Sequence, residues 1–408
     1  MLKYLFKLIK NLNFLLKYKF IWINPKPKDV LVFDDESYLE IKDMINKYDH
    51  NILVVRKENI KHLYISLRIL ILTIYNYRGN LFSSYLVSLI IIFEPKVVFT
   101  FIDNSFKFSE ITKRFKKINK NINFIALQNG ARYEPLENEY LFNSGINKKN
   151  LNYLFNLPIL LSFGLYEKKL LKKKKINFDK IFPVGNLRLD NYIIYKKKTQ
   201  LQLKKKKQIC FLSEHNNWDN KINLLDKNFV KNYYKLLNYC LRYAKKNKYK
   251  IIICSKRIKK NNKLVDNTPY YEEKKSYENF VSNDYKKFFN KNLINRSKDR
   301  FQTYKIMEES EITVGTMSTL LRENLFLRNK IFACNTSKMN IYNFPIKDFF
   351  SSSLNSYDLF EQKINNLIKM PKKKYFKNLE NKIYYLTDNK VSPRNKIYSI
   401  IDRILKKS

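Results

Sequence analysis

Short β-branched runs alternate with longer stretches of helical period along most of the chain. Apolar residues crowd into DVLVF (29–33), NILVV (51–55), KVVFTFI (96–102), NINFIAL (121–127), ILLSF (159–163) and KIFPV (180–184). These runs are continuous rather than alternating, the pattern of strands buried on both faces of a parallel sheet. SYLE (37–40) opens a helix with capping-box spacing, two long apolar helices fill 63–93, and another helix covers about 106–117. A second series runs through QICFLS (208–213), KIIIC (250–254), EITV (311–314) and KIFAC (330–334). Its first helix is amphipathic, with Leu236, Leu237, Cys240, Leu241 and Ala244 on one face. The stretch from about 255 to 300 reads as polar and irregular. Helices are expected near 302–309, from 318 and after 356.

Strands alternating with helices predict an α/β protein, and two such series predict two Rossmann-like parallel-sheet domains facing a central cleft. The expected divisions are a basic amphipathic segment (1–28), an N-terminal domain (29–195), a Lys-rich linker (196–207) and a C-terminal domain with its terminal helices (208–408). Leu2, Leu5, Phe6, Ile9 and Leu12 fall near helical spacing with lysines between them. That segment either rests on an anionic membrane face or packs on the body of the protein. The apolar zone 63–93 is broken by Arg68 and Arg78, and its longest charge-free run, Gly79–Phe93, falls short of the ~20 residues a spanning helix needs. Both helices there are expected to be buried.

Composition changes this picture less than its extremes suggest. The 408 residues carry 80 Lys+Arg against 36 Asp+Glu, a formal net charge of +44. The basic residues are overwhelmingly Lys, among many Asn, Ile, Tyr and Phe, the products of A/T-rich codons. Specific nucleic-acid readers lean on Arg for bidentate contacts, so no specific nucleic acid is expected. The charge still draws the chain to anionic ligands and surfaces. Hydrophobic residues at 45% exclude a disordered basic tail. Four scattered cysteines and three scattered histidines exclude a disulfide scaffold and zinc-type spacing. The expected location is cytoplasmic, peripheral on the inner face of the membrane.

Candidate chemistry gathers at strand ends. Four of the six glycines follow a strand: Gly130 in ALQNGAR, Gly164 in LSFGLYEK, Gly185 in FPVGNLRLD and Gly315 in ITVGTMSTLLRE. In the last motif Gly315, Thr316, Ser318 and Thr319 lead into a helix whose free N–H groups suit a phosphate, and Glu323 lies within reach of ribose hydroxyls. The alternative is an N-capped helix with an exposed acid. Lys256 and Arg257 follow KIIIC and offer cations to a departing diphosphate where no metal acts. Glu214 and His215 end the first strand of the second series, His215 serving either a ligand or a turn. Asp34 and Asp103 end strands of the first series. Asp103, beside Asn104 and the turn Gln128–Asn129–Gly130, is the expected general base for an acceptor hydroxyl. No GxGxxG, Walker A, HExxH, GxSxG or Asp-x-Asp motif is present.

The ordered blocks TFIDN, FIALQNGAR, SFGLYEKKL, FPVGNLRLDN, ICFLSE and ESEITVGTMSTLLRENLF, spanning about 29–400, resemble the bacterial surface carbohydrate (surface polysaccharide) biosynthesis protein family. That family is similar to GT-B-type capsule glycosyltransferases, glycerophosphotransferases of teichoic acid synthesis and nucleotide-sugar 2-epimerases. The resemblance implies a glycosyltransferase-like enzyme without a cofactor, taking a nucleotide-sugar donor and a glycan or lipid-linked acceptor. It implies donor binding through Gly315, Ser318, Thr319 and Glu323, and places Arg188, with Gly185, near a phosphate. Thr316–Met317 departs from the small serine-rich turn of the pattern. The rival readings are an epimerase or glycerophosphotransferase on the same fold, and a non-catalytic basic scaffold for anionic lipid or nucleic acid.

Overall fold

The β-branched runs pair into parallel sheets in the computed structural model, which describes residues 18–34, 38–54, 61–118, 121–132, 156–173, 178–214, 227–256, 268–294, 299–337 and 340–407. The chain divides into two compact units, the first comprising 1–130, 135–188 and 390–408, the second 131–134 and 189–389. The strands of the first unit are β1 (Tyr18–Ile21), β2 (Val30–Asp34), β3 (His50–Val54), β4 (Lys61–Tyr64), β5 (Val97–Thr100), β6 (Asn123–Leu127), β7 (Ile159–Ser162) and β8 (Lys180–Pro183). Six of them form one sheet in the order β3-β2-β5-β6-β7-β8, and β1 pairs separately with β4. All these pairings are parallel.

Alternate residues of this sheet feed two cores, as the period-two geometry of a strand requires. Leu31, Phe33, Val98, Phe124 and Leu160 pack with the helices Leu81–Phe93 and Phe106–Ile118. Val30, Val32, Val97, Phe99 and Leu161 face the other way, toward Ile41, Met44, Ile397 and Ile401. The second face is thus covered by the helix Tyr38–Ile45 and by the last helix of the chain, Pro393–Lys407. Asp402 accepts from Tyr48 Oη at 2.8 Å and Lys47 Nζ at 2.6 Å, fixing that helix over the sheet.

The second unit contains β9 (Lys206–Leu212), β10 (Lys250–Cys254), β11 (Leu293–Ile294), β12 (Ser310–Gly315), β13 (Ile331–Asn335) and β14 (Ser351–Ser353). They form one parallel sheet in the order β11-β10-β9-β12-β13-β14. Each unit therefore has the Rossmann-like α/β architecture expected from the strand runs.

Four expectations are corrected. The Lys-rich stretch is not wholly a free linker: the helix Leu187–Lys198 extends into its first residues, Lys196 Nζ bonds both Glu308 oxygens at 2.8 Å, and β9 begins at Lys206. The last nineteen residues belong to the first unit, not the second. The stretch 255–300 contains the helices Thr268–Phe280 and Asn283–Asn292. Part of the N-terminal segment is strand rather than helix, while residues 2–12 lie outside the described residues.

Replacing Ile401 by Ala removes a fully buried side chain from the second core. It is expected to lower stability by about 2–5 kcal/mol in urea unfolding, as for other buried Ile truncations.

Candidate functional site

In an open parallel sheet, ligands bind beyond the carboxyl ends of strands where the strand order reverses. In the second unit that point lies between β9 and β12, neighbours in the sheet with connections leaving in opposite directions. Glu214 follows β9 there, and the turn Thr316–Ser318 follows β12. Glu214 Oε1 accepts from the backbone N–H groups of Thr316 (3.0 Å), Met317 (2.8 Å) and Ser318 (2.5 Å). A carboxylate thus occupies the amide cradle at the start of the helix Thr319–Phe326. Gly315 permits this approach: a Cβ there would stand 3.3 Å from Glu214 Oε1 and 3.4 Å from Leu321 Cδ1.

Burial pushes the Glu214 carboxyl up to about 7, despite the opposing pull of the three N–H donors and the Lys256 ammonium. Beside it, the buried Glu273 accepts from Ser213 Oγ and from the Lys256 backbone N–H at 2.8 Å. Sequence reading missed Glu273, because its helix presents Glu273, Ser276, Tyr277 and Phe280 at i, i+3, i+4 and i+7, a stripe too polar to register as a core face. Among the described residues no group of three or more His, Cys, Asp or Glu side chains is placed to hold a metal ion.

The remaining residues of the glycine motif are already engaged. Ser318 Oγ caps its own helix through Leu320 N–H at 3.3 Å. Thr319 Oγ1 accepts from Ala131 N–H at 2.8 Å, and Thr316 is buried. Glu323 is buried and accepts from Tyr304 Oη, whose ring stacks on Tyr192 at 4.6 Å. The expectation of free N–H groups and a ribose-facing Glu323 is therefore corrected: a neighbouring carboxylate fills the cradle, and core packing holds the acid. Lys256 is exposed, whereas His215 and Arg257 lie outside the described residues.

The first unit has its own reversal point between β2 and β5. Asp34 is buried at the end of β2 and accepts from Thr100 Oγ1 at 3.2 Å. Asp103 is also buried, and its Oδ1 accepts from Asn129 N–H at 3.3 Å. Gln128 is closed into the same edge, donating to Gly130 O at 2.7 Å and accepting from Phe163 N–H at 2.8 Å. Arg188 donates to Asn129 O at 3.4 Å, lies 3.6 Å from Glu40 Oε1 and covers the Phe101 ring. Gly185 has φ of 100°, a left-handed backbone that only glycine adopts without strain, and it aims Asn186 to cap Arg188 N–H at 2.9 Å. Asn104 is partly exposed at the same edge.

These contacts correct the reading of Asp103 as an open general base: its carboxylate holds the Gln128–Gly130 turn. Asp103 belongs to the first unit and Lys256 to the second.

Two outcomes follow from this geometry. The folded Glu214 carboxyl, at about 7 against its ordinary 4.5, binds protons that the unfolded chain releases. The stability this confers is complete below pH 4.5 and is lost as pH rises through 7; Glu214→Gln should flatten that fall in urea-unfolding profiles. Asp103→Asn preserves an acceptor for Asn129 N–H and should leave stability nearly unchanged, whereas Asp103→Ala should cost about 1–3 kcal/mol.

No protein-family model matches the chain, and no curated protein does. Among solved structures, that of the wall teichoic acid polymerase TagF is similar over 94% of this chain and 90% of its own, with a TM-score of 0.55 and 14% identity. A UDP-forming α,α-trehalose-phosphate synthase from Burkholderia vietnamiensis covers 92% of this chain and 100% of its own, with a TM-score of 0.50 and 9% identity. The α,α-trehalose 6-phosphate synthase from Burkholderia multivorans covers 94% and 100%, with a TM-score of 0.51 and 8% identity. At these identities the likeness is one of fold, and it establishes the α/β class with Rossmann-like parallel sheets.

Proposed function

We propose that this chain is a GT-B-type, metal-independent glycosyltransferase-like enzyme that moves a sugar from a nucleotide-activated donor to a surface-glycan precursor. The observation that carries the reading is the amide cradle of Thr316, Met317 and Ser318, which holds a carboxylate at the strand-order reversal of the second sheet. An arrangement that holds one anion by three N–H groups has the chemistry to hold a phosphate oxygen. The Lys256 ammonium lies close enough to Glu214 to act on its charge, and it supplies the cation that a leaving diphosphate requires. Fold neighbours that include a UDP-forming synthase agree with a nucleoside diphosphate as the leaving group.

In this reading Glu214 competes with the donor for the cradle. Burial pushes its carboxyl up to about 7, so near neutrality displacing it costs less than displacing a fixed anion. Deprotonation at higher pH makes it a stronger competitor. In the first unit, Asp103 acts as a positioning residue, shaping the Gln128–Gly130 edge for the acceptor.

A second reading draws on the likeness to TagF, one of whose solved forms was soaked with CDPG. The same cradle would then serve transfer of a glycerophosphate unit, and product analysis separates it from sugar transfer.

Calorimetric titration with a panel of nucleotide sugars tests the proposal. A matching donor should bind, Lys256→Ala should weaken it about 10- to 100-fold, and binding should weaken above pH 7 in the parent but not in Glu214→Gln. Transfer should survive chelation by EDTA. Absence of binding by every nucleotide sugar, or binding indifferent to Lys256, would overturn the reading.

A further inference from the structure

The helix Leu67–Tyr75 inverts the usual amphipathic arrangement. Ile69 and Thr73 turn inward, Thr73 Oγ1 meeting Ser88 Oγ of the helix Leu81–Phe93 at 3.3 Å. The outward stripe is apolar: Leu67, Leu70, Ile71 and Ile74, at i, i+3, i+4 and i+7, are 74%, 49%, 57% and 73% exposed. Leu81 and Phe82, which open the following helix, are exposed as well, as are Tyr75 and Tyr77. The expectation that both helices of this apolar zone are buried is thus corrected for the first, which buries Ile69 and Thr73 and turns its other apolar side chains outward.

A further pair of apolar side chains joins this face. β1 pairs with β4, directly before the helix, and Ser66 Oγ donates to Asn24 Oδ1 at 2.6 Å. That bond ties the chain after β1 to the start of the helix, and Trp22 and Ile23 there are 72% and 68% exposed. An exposed apolar surface of this extent on a soluble body marks an interaction site.

Charge identifies the partner. Between Glu58 and Glu94 the chain contains no Asp or Glu, while Arg68 and Arg78 are exposed among the apolar side chains. No helix among the described residues is long and apolar enough to cross a membrane. An apolar stripe fringed by Arg, Tyr and Trp, in a chain of net charge +44, suits the headgroup boundary of an anionic bilayer.

We propose that the outward face of Leu67–Phe82, with Trp22 and Ile23, is a docking surface for an anionic lipid membrane. The apolar side chains enter the acyl boundary, and Arg68 and Arg78 pair with lipid phosphates. This inference stands on the first unit alone and does not depend on the donor reading above.

The test is co-sedimentation of the full chain with phosphatidylcholine vesicles containing 0 or about 30% phosphatidylglycerol, a range that spans neutral and strongly anionic surfaces. Binding should require the anionic lipid. Ile71→Glu with Ile74→Glu should weaken it about 10-fold or more, because both side chains leave the apolar boundary. Arg68→Gln with Arg78→Gln should weaken binding to anionic vesicles selectively. With Trp218 replaced by Phe, Trp22 fluorescence should be quenched by brominated lipid. Arg68, Ile71, Ile74 and Arg78 are exposed, so the Ile71/Ile74 and Arg68/Arg78 variants should retain the parent's unfolding midpoint. Vesicle binding unchanged by the Ile71/Ile74 variant, or a Trp22 signal indifferent to brominated lipid, would overturn the proposal. A concentration-dependent dimer abolished by the same variant would also overturn it, in favour of a second copy on this face.

Discussion

A parallel sheet of apolar strands tolerates water on neither face, and most of this fold follows from that constraint. It accounts for the continuous Val, Ile and Phe runs and for helices on both sides of the first unit's sheet. It also accounts for the return of the last helix to the first unit. Without Ile397 and Ile401, the face bearing Val97, Phe99 and Leu161 would lose part of its cover. The outward stripe of Leu67–Tyr75 stands apart because the sheet is already covered by the helix behind it.

With both faces of the sheet covered, the ends of its strands are left open to polar side chains. Asp34 and Asp103 in the first unit and Glu214 in the second lie where strand order reverses. Burial makes these groups depend on local donors. Asp103 takes a backbone N–H and shapes a turn, while Glu214 takes three and burial still pushes its carboxyl up to about 7.

The strand runs were legible because burial on both faces writes itself into residue type, five residues at a time. The glycines were legible for a related reason: Gly185 needs a left-handed backbone and Gly315 needs the space that a Cβ would fill. The helix Thr268–Phe280 was not legible, because its inward positions include Glu273 and Ser276, polar groups satisfied by distant partners such as Ser213. The Lys-rich stretch misled in the opposite sense: Lys196, Lys197 and Lys198 form the end of a helix and Lys196 bonds Glu308, so charge density there marked no boundary.

Periodicity and residue type thus determined which segments are strands, which are helices, and that the sheets are parallel. Those properties depend on neighbours a few positions away. Tertiary structure alone decided which partner each polar group found. Glu214 meets amides more than a hundred positions along the chain, and Asp402 meets Tyr48 across nearly the whole of it. It also decided which side of Leu67–Tyr75 faces outward, because an apolar stripe on a helix does not record whether a core or a solvent boundary lies opposite.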